Sequence, residues 1–512
     1  MYHNLNSYII EVHYGTKVIL LRIYINGITE EHFLTSIRNI CKLFFDEVEL
    51  TKNKEDGHKL ELCYRFANKV VECRLTSYDL KHESSTMMFE LSENQHINRQ
   101  NVNTAIRKST LKVLEAFTNI KQPWGILTGI RPTKLYHKYK QEGMQNHEIF
   151  KVLKETRYLD DVKIRLLESI VERQLKSVKD LYTLNNEVSI YIGIPFCPTK
   201  CAYCTFPAYS IPKKGNEVQD FFKCLLTEIE AVGKYLSEKK IKVTTVYLGG
   251  GTPTSLNERQ LENLFEKLYE WIPNMASIRE LTVEAGRPDT ITQEKLDVLN
   301  KFMVTRISVN PQSFNQETLD AIGRHHTVNE TIEKYILARE NNFSNINMDL
   351  IIGLPNEGVE ELQYTLKQMH ELQPESVTIH TLSFKRASQM SQNKAKYKVA
   401  SSTEIVKMME TAKSWSEENY YEPYYLYRQK NILGNLENIG YAKEGKESIY
   451  NILIMEEAQT IIGLGCGAAS KFISKDKKTI EHFANPKDTR SYILNLNHYI
   501  QEKFKLIDEY LT

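Results

Sequence analysis

Cysteine is scarce in this chain, eight residues in 512, and no apolar run approaches the ~18 residues that a membrane-crossing helix needs. Residues 1–15 lack the basic start, apolar run and small-residue cleavage site of a secretory signal. Charge of one sign is also missing, with 66 Lys plus Arg against 65 Asp plus Glu, so global charge predicts no polyanionic partner. There is no low-complexity tract and no internal repeat beyond a βα period. These absences predict a cytosolic protein whose thiols stay reduced, and they exclude a disulfide framework and a membrane anchor. At about 150 residues per domain, the length suggests roughly three domains.

What is present is concentrated. Cys197, Cys201 and Cys204 form a C-x3-C-x2-C cluster directly after the strand-like run 190–195, a spacing that arises by chance in roughly one such chain in several hundred. Three thiolates are one too few to close a cubane iron–sulfur cluster, so one iron would stay open to another ligand. A zinc site completed by a distant His or Cys is the bland alternative. The other five cysteines, Cys41, Cys63, Cys73, Cys224 and Cys466, lie in apolar contexts and are expected to be buried thiols.

From about residue 186 to 381, β-branched runs alternate with amphipathic ones, the pattern of βα units in a parallel sheet. Six strands are expected at 187–195, 243–248, 279–285, 305–310, 346–352 and 376–382. Helices are expected at 216–239, 257–270, 292–302, 328–342 and 357–372, with Asn257 and Gln260 as a capping box. The fold class expected is α/β: a partial (β/α)6 TIM-like barrel at 186–400, an N-terminal α+β domain at 1–125, a helical connector at 126–185 and a C-terminal α/β extension at 401–512 that covers the active site. The N-terminal domain is expected to hold strand pairs such as 8–13 and 17–24 and a helix at 100–118, and a second helical piece is expected at 143–183. The C-terminal region ends in a glycine-rich run at 463–470. Residues 100–140 carry eight Lys or Arg and one Glu, including the unusual Trp124-Gly-Ile-Leu-Thr-Gly-Ile-Arg-Pro-Thr-Lys134. Such a run serves an anionic partner or, more often, is a solvated face.

In a parallel barrel the reactive groups gather where the strands end at their C-termini. Cys197, Cys201 and Cys204 follow the first strand, and Gly249-Gly250-Gly251-Thr252-Pro253 follows the second, where glycine permits close backbone approach to a ligand. Glu284 ends the third strand, Gln312 the fourth, and Arg324 follows with a planar fork suited to a carboxylate. Asp349 lies within the apolar fifth strand, a costly place for a carboxylate that has no partner. His325, His326 and His380 are candidate proton carriers, although isolated histidines are more often structural.

Together these segments resemble the radical S-adenosylmethionine (SAM) superfamily, in particular its coproporphyrinogen III dehydrogenase (HemN-like) branch and that branch's longer, HemZ-type oxidase-like subfamily. The resemblance covers about residues 186–470. It rests on Tyr191-Ile-Gly-Ile-Pro-Phe-Cys197-Pro-Thr-Lys-Cys201-Ala-Tyr203-Cys204, Gly249-Gly-Gly-Thr-Pro-Thr254, the Glu284 segment, Val309-Asn-Pro-Gln312-Ser-Phe314, Gly323-Arg324 and Asp349-Leu-Ile-Ile-Gly-Leu-Pro355. It implies a [4Fe-4S] cluster on Cys197, Cys201 and Cys204, whose open iron binds S-adenosylmethionine, which reduction cleaves to a 5'-deoxyadenosyl radical. It implies further that Tyr191, Tyr203, Gly250, Gly251, Glu284, Gln312, Arg324 and Asp349 hold S-adenosylmethionine, with Arg324 on its carboxylate. No side chain is assigned as catalytic, since the radical comes from the cofactor.

The function so implied is oxygen-independent oxidative decarboxylation of coproporphyrinogen III propionates to vinyl groups, giving protoporphyrinogen IX. Its partners would be a tetrapyrrole substrate and an electron donor such as flavodoxin or ferredoxin, with no membrane and no nucleic acid. Two positions depart from the porphyrinogen-oxidising pattern, Phe206 for a fourth cysteine and Gly193 for a histidine. The shorter pattern also occurs in related haem chaperones, which bind haem through a His-Asn-x-x-Tyr-Trp segment. Here the local counterpart, Tyr450-Asn451-Ile452-Leu453-Ile454-Met455, keeps only the Asn. The alternatives are therefore a haem-binding carrier, or a radical enzyme acting on haem by methyl transfer and ring opening, or on nucleic acid.

Overall fold

The computed structural model describes the chain except residues 1–20, 46, 55–58, 78–80, 130, 185, 211–214, 384–387, 394–396 and 430–435. The chain divides into two compact units, one up to Glu168 and one from Ser169 to Thr512.

In the first unit, strands β1 (Leu21–Asn26), β2 (Val48–Thr51), β3 (Leu60–Ala67), β4 (Val70–Ser77) and β5 (His82–Met88) form one sheet in the order β2-β1-β3-β4-β5. Alternation decides which face is inside: Leu60, Leu62 and Tyr64 of β3 and Val71, Cys73 and Leu75 of β4 are buried, while the residues between them are more open. Helices Glu31–Cys41 and Gln95–Thr118 supply Leu34, Ile37, Ile106, Leu111 and Leu114 to the same core. The expected strand at 8–13 lies outside the described residues, and β1 overlaps the expected 17–24. The helical piece expected at 143–183 is broken into Asn146–Val152, a π-helical turn Leu153–Arg157 and Asp161–Ser177. The break falls at Tyr158, whose φ of 58° no helix interior accepts.

The second unit is built on eleven strands. These are β6 (Glu187–Ile194), β9 (Lys242–Gly250), β10 (Glu280–Glu284), β11 (Arg306–Ser308), β12 (Ile346–Ile352), β13 (Ser376–Thr381), β14 (Glu422–Tyr427), β15 (Asn438–Ala442), β16 (Thr460–Gly465), β17 (Ala469–Ile473) and β18 (Ile480–Ala484). A separate pair, β7 (Phe196–Cys197) and β8 (Tyr209–Ser210), carries the first cysteine. The large sheet runs β14-β15-β13-β12-β11-β10-β9-β6-β16-β17-β18. All six expected strands are present as the parallel run β6-β9-β10-β11-β12-β13. The expected helices appear as Gly215–Glu238, Glu258–Trp271, Gln293–Lys301, Val328–Glu340 and Val359–Leu372, and Asn257 with Gln260 makes the capping box.

The C-terminal residues extend this sheet at both edges: β14 and β15 continue it beyond β13, and β16 joins β6 in parallel and carries β17 and β18. The glycine-rich run is the end of β16 and its turn. A side chain at Gly465 would place its Cβ 2.4 Å from the Gly193 carbonyl oxygen, so the close pairing of β16 with β6 requires glycine there. This edge is fixed by a buried ion pair, Glu228 with Lys503 at 2.9 Å, both fully buried. Glu228 also accepts from the Gly465 amide at 2.7 Å and the Tyr492 hydroxyl at 2.7 Å. No disulfide joins any cysteine; Cys41, Cys73 and Cys466 are buried, whereas Cys63 and Cys224, expected to be buried, are only partly so. Both lie on elements with one open face, a sheet and an amphipathic helix, which spare them full burial.

Candidate active site

The cysteine loop leaves the C-terminal end of β6 and is pinned from three sides. The Ala202 amide donates to the Ile322 carbonyl at 2.9 Å, the Met390 amide to the Ala202 carbonyl at 3.1 Å, and the Thr199 hydroxyl to the Gly323 carbonyl at 3.0 Å. Arg287, which sequence reasoning did not single out, donates to the Thr199 carbonyl at 3.2 Å and lies 4.0 Å from the Cys201 sulfur. Its own orientation is fixed by a two-point pairing with Asp289, at 3.0 and 2.9 Å. Burial pushes the Cys197 thiol up to about 11, while its 3.4 Å contact with the Thr252 hydroxyl lowers it and Cys201 and Cys204 raise it further. Three thiols thus share one small region whose nearest charges are cationic. Among the described residues no three His, Cys, Asp or Glu side chains are gathered as one metal ion requires. Three thiols on one loop are the donor type that the irons of a cubane take, so this donor set fits a cluster.

The glycine run packs tightly on its strand-facing side. A Cβ at Gly251 would meet the Phe196 carbonyl oxygen at 2.4 Å, and Gly250 has φ 103° with the Ile194 backbone 3.2 Å from its Cβ direction. The Gly251 amide bonds the Ile194 carbonyl at 2.7 Å. Packing against β6 and β7 therefore suffices to require these glycines.

Glu284, at the end of β10, accepts from the Tyr247 hydroxyl at 2.6 Å and from the Gly250 amide. Burial raises its carboxyl to about 7, with Tyr247 opposing and the Asp349 charge adding. Tyr247 is the register partner of Tyr191 on the adjacent strand. Their rings stack at 6.1 Å between centroids, and Tyr450 stacks on Tyr247 at 4.5 Å. Tyr450 opens helix Ile449–Glu456, whose N-terminus is held by Glu280: its carboxylate accepts from Ser448 Oγ at 2.9 Å and the Ile449 amide at 2.7 Å. An anion at a helix N-terminus is favoured by the exposed amides. Glu280 begins β10 and Glu284 ends it, so the segment 450–455 is anchored at the end of the strand opposite to Glu284.

Asp349 is held by Asn310 Nδ2 at 2.8 Å and Asn347 Nδ2 at 2.7 Å, with His380 Nε2 at 3.8 Å. Burial raises its pKa, but His380, Asn347 and Thr378 together outweigh that and leave it below the usual value. His380 bonds the Tyr427 hydroxyl at 3.1 Å. Gln312 has φ 67°, a strained conformation for a residue with a side chain. Its backbone bridges Asp349 and Ile351 at 2.9 and 3.1 Å, and among the described residues no hydrogen bond engages its side chain. Arg324 is buried and donates to the carbonyls of Asn310, Pro311 and Gly286, with only Nε unbonded. It clasps the ends of two strands and lies close enough to Tyr203 and Cys201 for their charges to raise its pKa against the effect of burial. His326 is buried with neither ring nitrogen bonded, and burial beside Arg324 and Arg287 lowers it to about 4. It therefore remains neutral at pH 7. Tyr203 packs on Ala202, Leu319 and Ile322 beside the cysteines.

Three thiols at the end of the first parallel strand, on a (βα)6 framework, define a radical SAM protein, and a family model described as the Radical SAM superfamily matches residues 191–369. The chain belongs to the HemZ family of oxygen-independent coproporphyrinogen-III oxidase-like proteins: it is 52% identical over 493 residues to the Bacillus subtilis (strain 168) member, covering 96% of this chain and 98% of that one. It is also similar to the heme chaperone HemW of Bacillus subtilis (strain 168), 34% identical over 194 residues, which span 38% of this chain and 50% of that one. Among solved structures, Escherichia coli coproporphyrinogen III oxidase (HemN) overlaps 63% of this chain and 72% of its own, with a TM-score of 0.49 and 21% identity. The superfamily's cofactors are a [4Fe-4S] cluster and S-adenosylmethionine, and the donor set above fits the cluster. Among the described residues no helix is long and apolar enough to cross a membrane.

Proposed function

We propose that the chain is a radical SAM enzyme of cytosolic haem synthesis that decarboxylates coproporphyrinogen III propionates without oxygen, taking electrons from a flavodoxin or ferredoxin. When bound, the reduced cluster and S-adenosylmethionine supply a carbon radical that removes a hydrogen atom from a propionate, whose carboxyl leaves as carbon dioxide while one electron passes to an acceptor. Cys197, Cys201 and Cys204 would hold the cluster, and Tyr191, Tyr203, Gly250, Gly251, Glu284, Gln312, Arg324 and Asp349 the S-adenosylmethionine. The carrying observation is the loop itself, where the Cys201 sulfur lies 4.0 Å from Arg287 and close enough to Arg324 to bear on its charge, and Arg287 also acts on Cys197.

The chain's own residues divide the work of holding and orienting. Glu284, titrating near neutrality, is able to give or accept a proton in a hydrogen bond to a ligand hydroxyl. Gln312 offers an amide that no protein group uses. Arg324 holds the loop ends, and the fork expected to meet a carboxylate already donates to three carbonyls.

The similarity to heme chaperones favours haem carriage as the second reading. Against it, the segment 450–455 is a helix with Tyr450, Ile452 and Leu453 buried, and Asn451 Nδ2 bonds the Tyr424 hydroxyl at 3.4 Å. One anaerobic assay separates the readings: cluster-loaded protein with S-adenosylmethionine and coproporphyrinogen III, followed for 5'-deoxyadenosine and decarboxylated tetrapyrrole together. Deoxyadenosine alone rejects the substrate, and stoichiometric haem binding without product rejects the enzyme. A Cys201→Ala protein that retains its full iron rejects the cluster assignment.

A further inference from the structure

The Trp124–Lys134 motif and the basic run around it belong to the first unit. Gly125 (φ 51°) packs so tightly that a Cβ there would meet the Arg157 carbonyl oxygen at 2.1 Å. The Ile126 amide donates to that same carbonyl at 2.9 Å, and the Asp160 amide to the Pro123 carbonyl at 2.9 Å. The motif is thereby locked against the π-helical turn Leu153–Arg157, and π-turns inside helices frequently mark functional positions. On the other side Arg107 donates to the Ile126 carbonyl and to Thr128 Oγ1.

This construction brings the side chains of Arg107 and Arg157 to one hollow of about 390 Å³, lined otherwise by Gln100, Asn101, Asn103, Thr104 and Lys138. The lining is polar throughout and includes three cations and no carboxylate. Glu142 pairs with Lys138 at 3.7 Å, but both are well exposed, a weak pairing in water. The Glu155 charge acts on Lys108. Burial and the Arg157 charge push Arg107 down to about 10. Arg157 Nε and Asn103 Oδ1 are buried without a partner, which is costly unless something else bonds them. Two guanidiniums lining one hollow, with the Lys138 ammonium beside them, supply the donors that suit phosphate oxygens.

We propose that the hollow of Arg107, Lys138 and Arg157 binds the phosphate group of a small phosphorylated molecule. A sugar hydroxyl of that molecule would donate to the orphaned Asn103 Oδ1. The cations converge in a concavity instead of lining an extended face, which favours a small ligand over a nucleic-acid strand.

Titration calorimetry of the whole, cluster-loaded protein with inorganic pyrophosphate and with adenosine monophosphate tests this, alongside a short single-stranded RNA. Arg157→Gln is the decisive variant, because among the described residues no hydrogen bond engages the buried Arg157 Nε; circular dichroism and iron content check that it folds. Wild-type protein is expected to bind pyrophosphate or the mononucleotide, and Arg157→Gln to weaken that binding at least about tenfold, with iron content and S-adenosylmethionine cleavage unchanged. No binding by wild-type protein, equal binding by Arg157→Gln, or binding of RNA without either small ligand overturns the proposal.

Discussion

Lys503→Met would remove one half of an ion pair in which neither side chain is exposed. In the native protein Lys503 Nζ donates to Glu228 Oε1 at 2.9 Å and to Asn485 Oδ1 at 2.7 Å. After the substitution Glu228 keeps three donors, the Gly465 amide at 2.7 Å, Tyr492 at 2.7 Å and Asn485 Nδ2 at 3.1 Å, but no countercharge. An uncompensated buried charge costs about 3–5 kcal/mol. At about 1.4 kcal/mol per tenfold, that is roughly two to nearly four orders of magnitude in the population of the locally opened state. Hydrogen exchange followed by mass spectrometry is the suitable assay, because a chain of two units has no single unfolding free energy. Amides of β16 and of helix Leu496–Tyr510 are expected to exchange faster by that factor. The double substitution Glu228→Gln with Lys503→Met is expected to recover much of the loss, since removing both charges leaves hydrogen bonds without a desolvated ion. Unchanged protection in Lys503→Met, or a double variant as open as the single, would refute the reasoning. The effect reaches the site because Gly465 is the register partner of Gly193 on the strand that leads to the cysteine loop.

Gly193→His and Phe206→Cys should behave in opposite ways. A Cβ at Gly193 would lie 2.9 Å from the Cys466 carbonyl oxygen and 3.3 Å from Ala468 Cβ, so the histidine variant is expected to lower stability by about 1–3 kcal/mol or more. Phe206 is 56% exposed, and its replacement is expected to stay within about 0.5 kcal/mol; urea midpoints compare the two. Glu284 adds a pH dependence. Its carboxyl rises from 4.5 unfolded to about 7 folded, so the folded state binds the extra proton between those values and its stability falls as pH rises through the window, by about 3 kcal/mol in all. In ligand-free protein Glu284→Gln should abolish that slope, and an unaltered slope assigns it elsewhere. Glu280→Ala strips the buried start of helix Ile449–Glu456 of its acceptor. A loss of about 2 kcal/mol and a weakened near-ultraviolet signal from the Tyr247–Tyr450 stack are expected, and a native signal would show that the helix is held without it.

What the sequence made legible followed from local rules, and what it hid depended on register and on long-range closure. The six parallel strands could be read because each is a short apolar run closed by its own turn chemistry, and the Asn257 cap because it involves residues three apart. The cysteine spacing identified the loop for the same reason. Arg287 was missed although it stands three residues after Glu284, because its role arises from the fold bringing Thr199 and Cys201, more than eighty positions away, within its reach. Tyr247 and Tyr450 were invisible on similar grounds: Tyr247 meets Tyr191 through strand register, and Tyr450 reaches it only because Glu280 captures a helix about 170 positions further along the chain. The glycine run shows a different limit. Gly250 and Gly251 looked like a cradle for a ligand, yet the backbone of β6 and β7 already occupies the space a side chain would need. The conformational requirement was legible and the packing that contributes to it was not, because a glycine records that something lies close and not what it is. Gln312 is the complementary case: its strained φ and unengaged amide emerge only from the three-dimensional fold, and they point to a ligand more directly than any glycine in this chain.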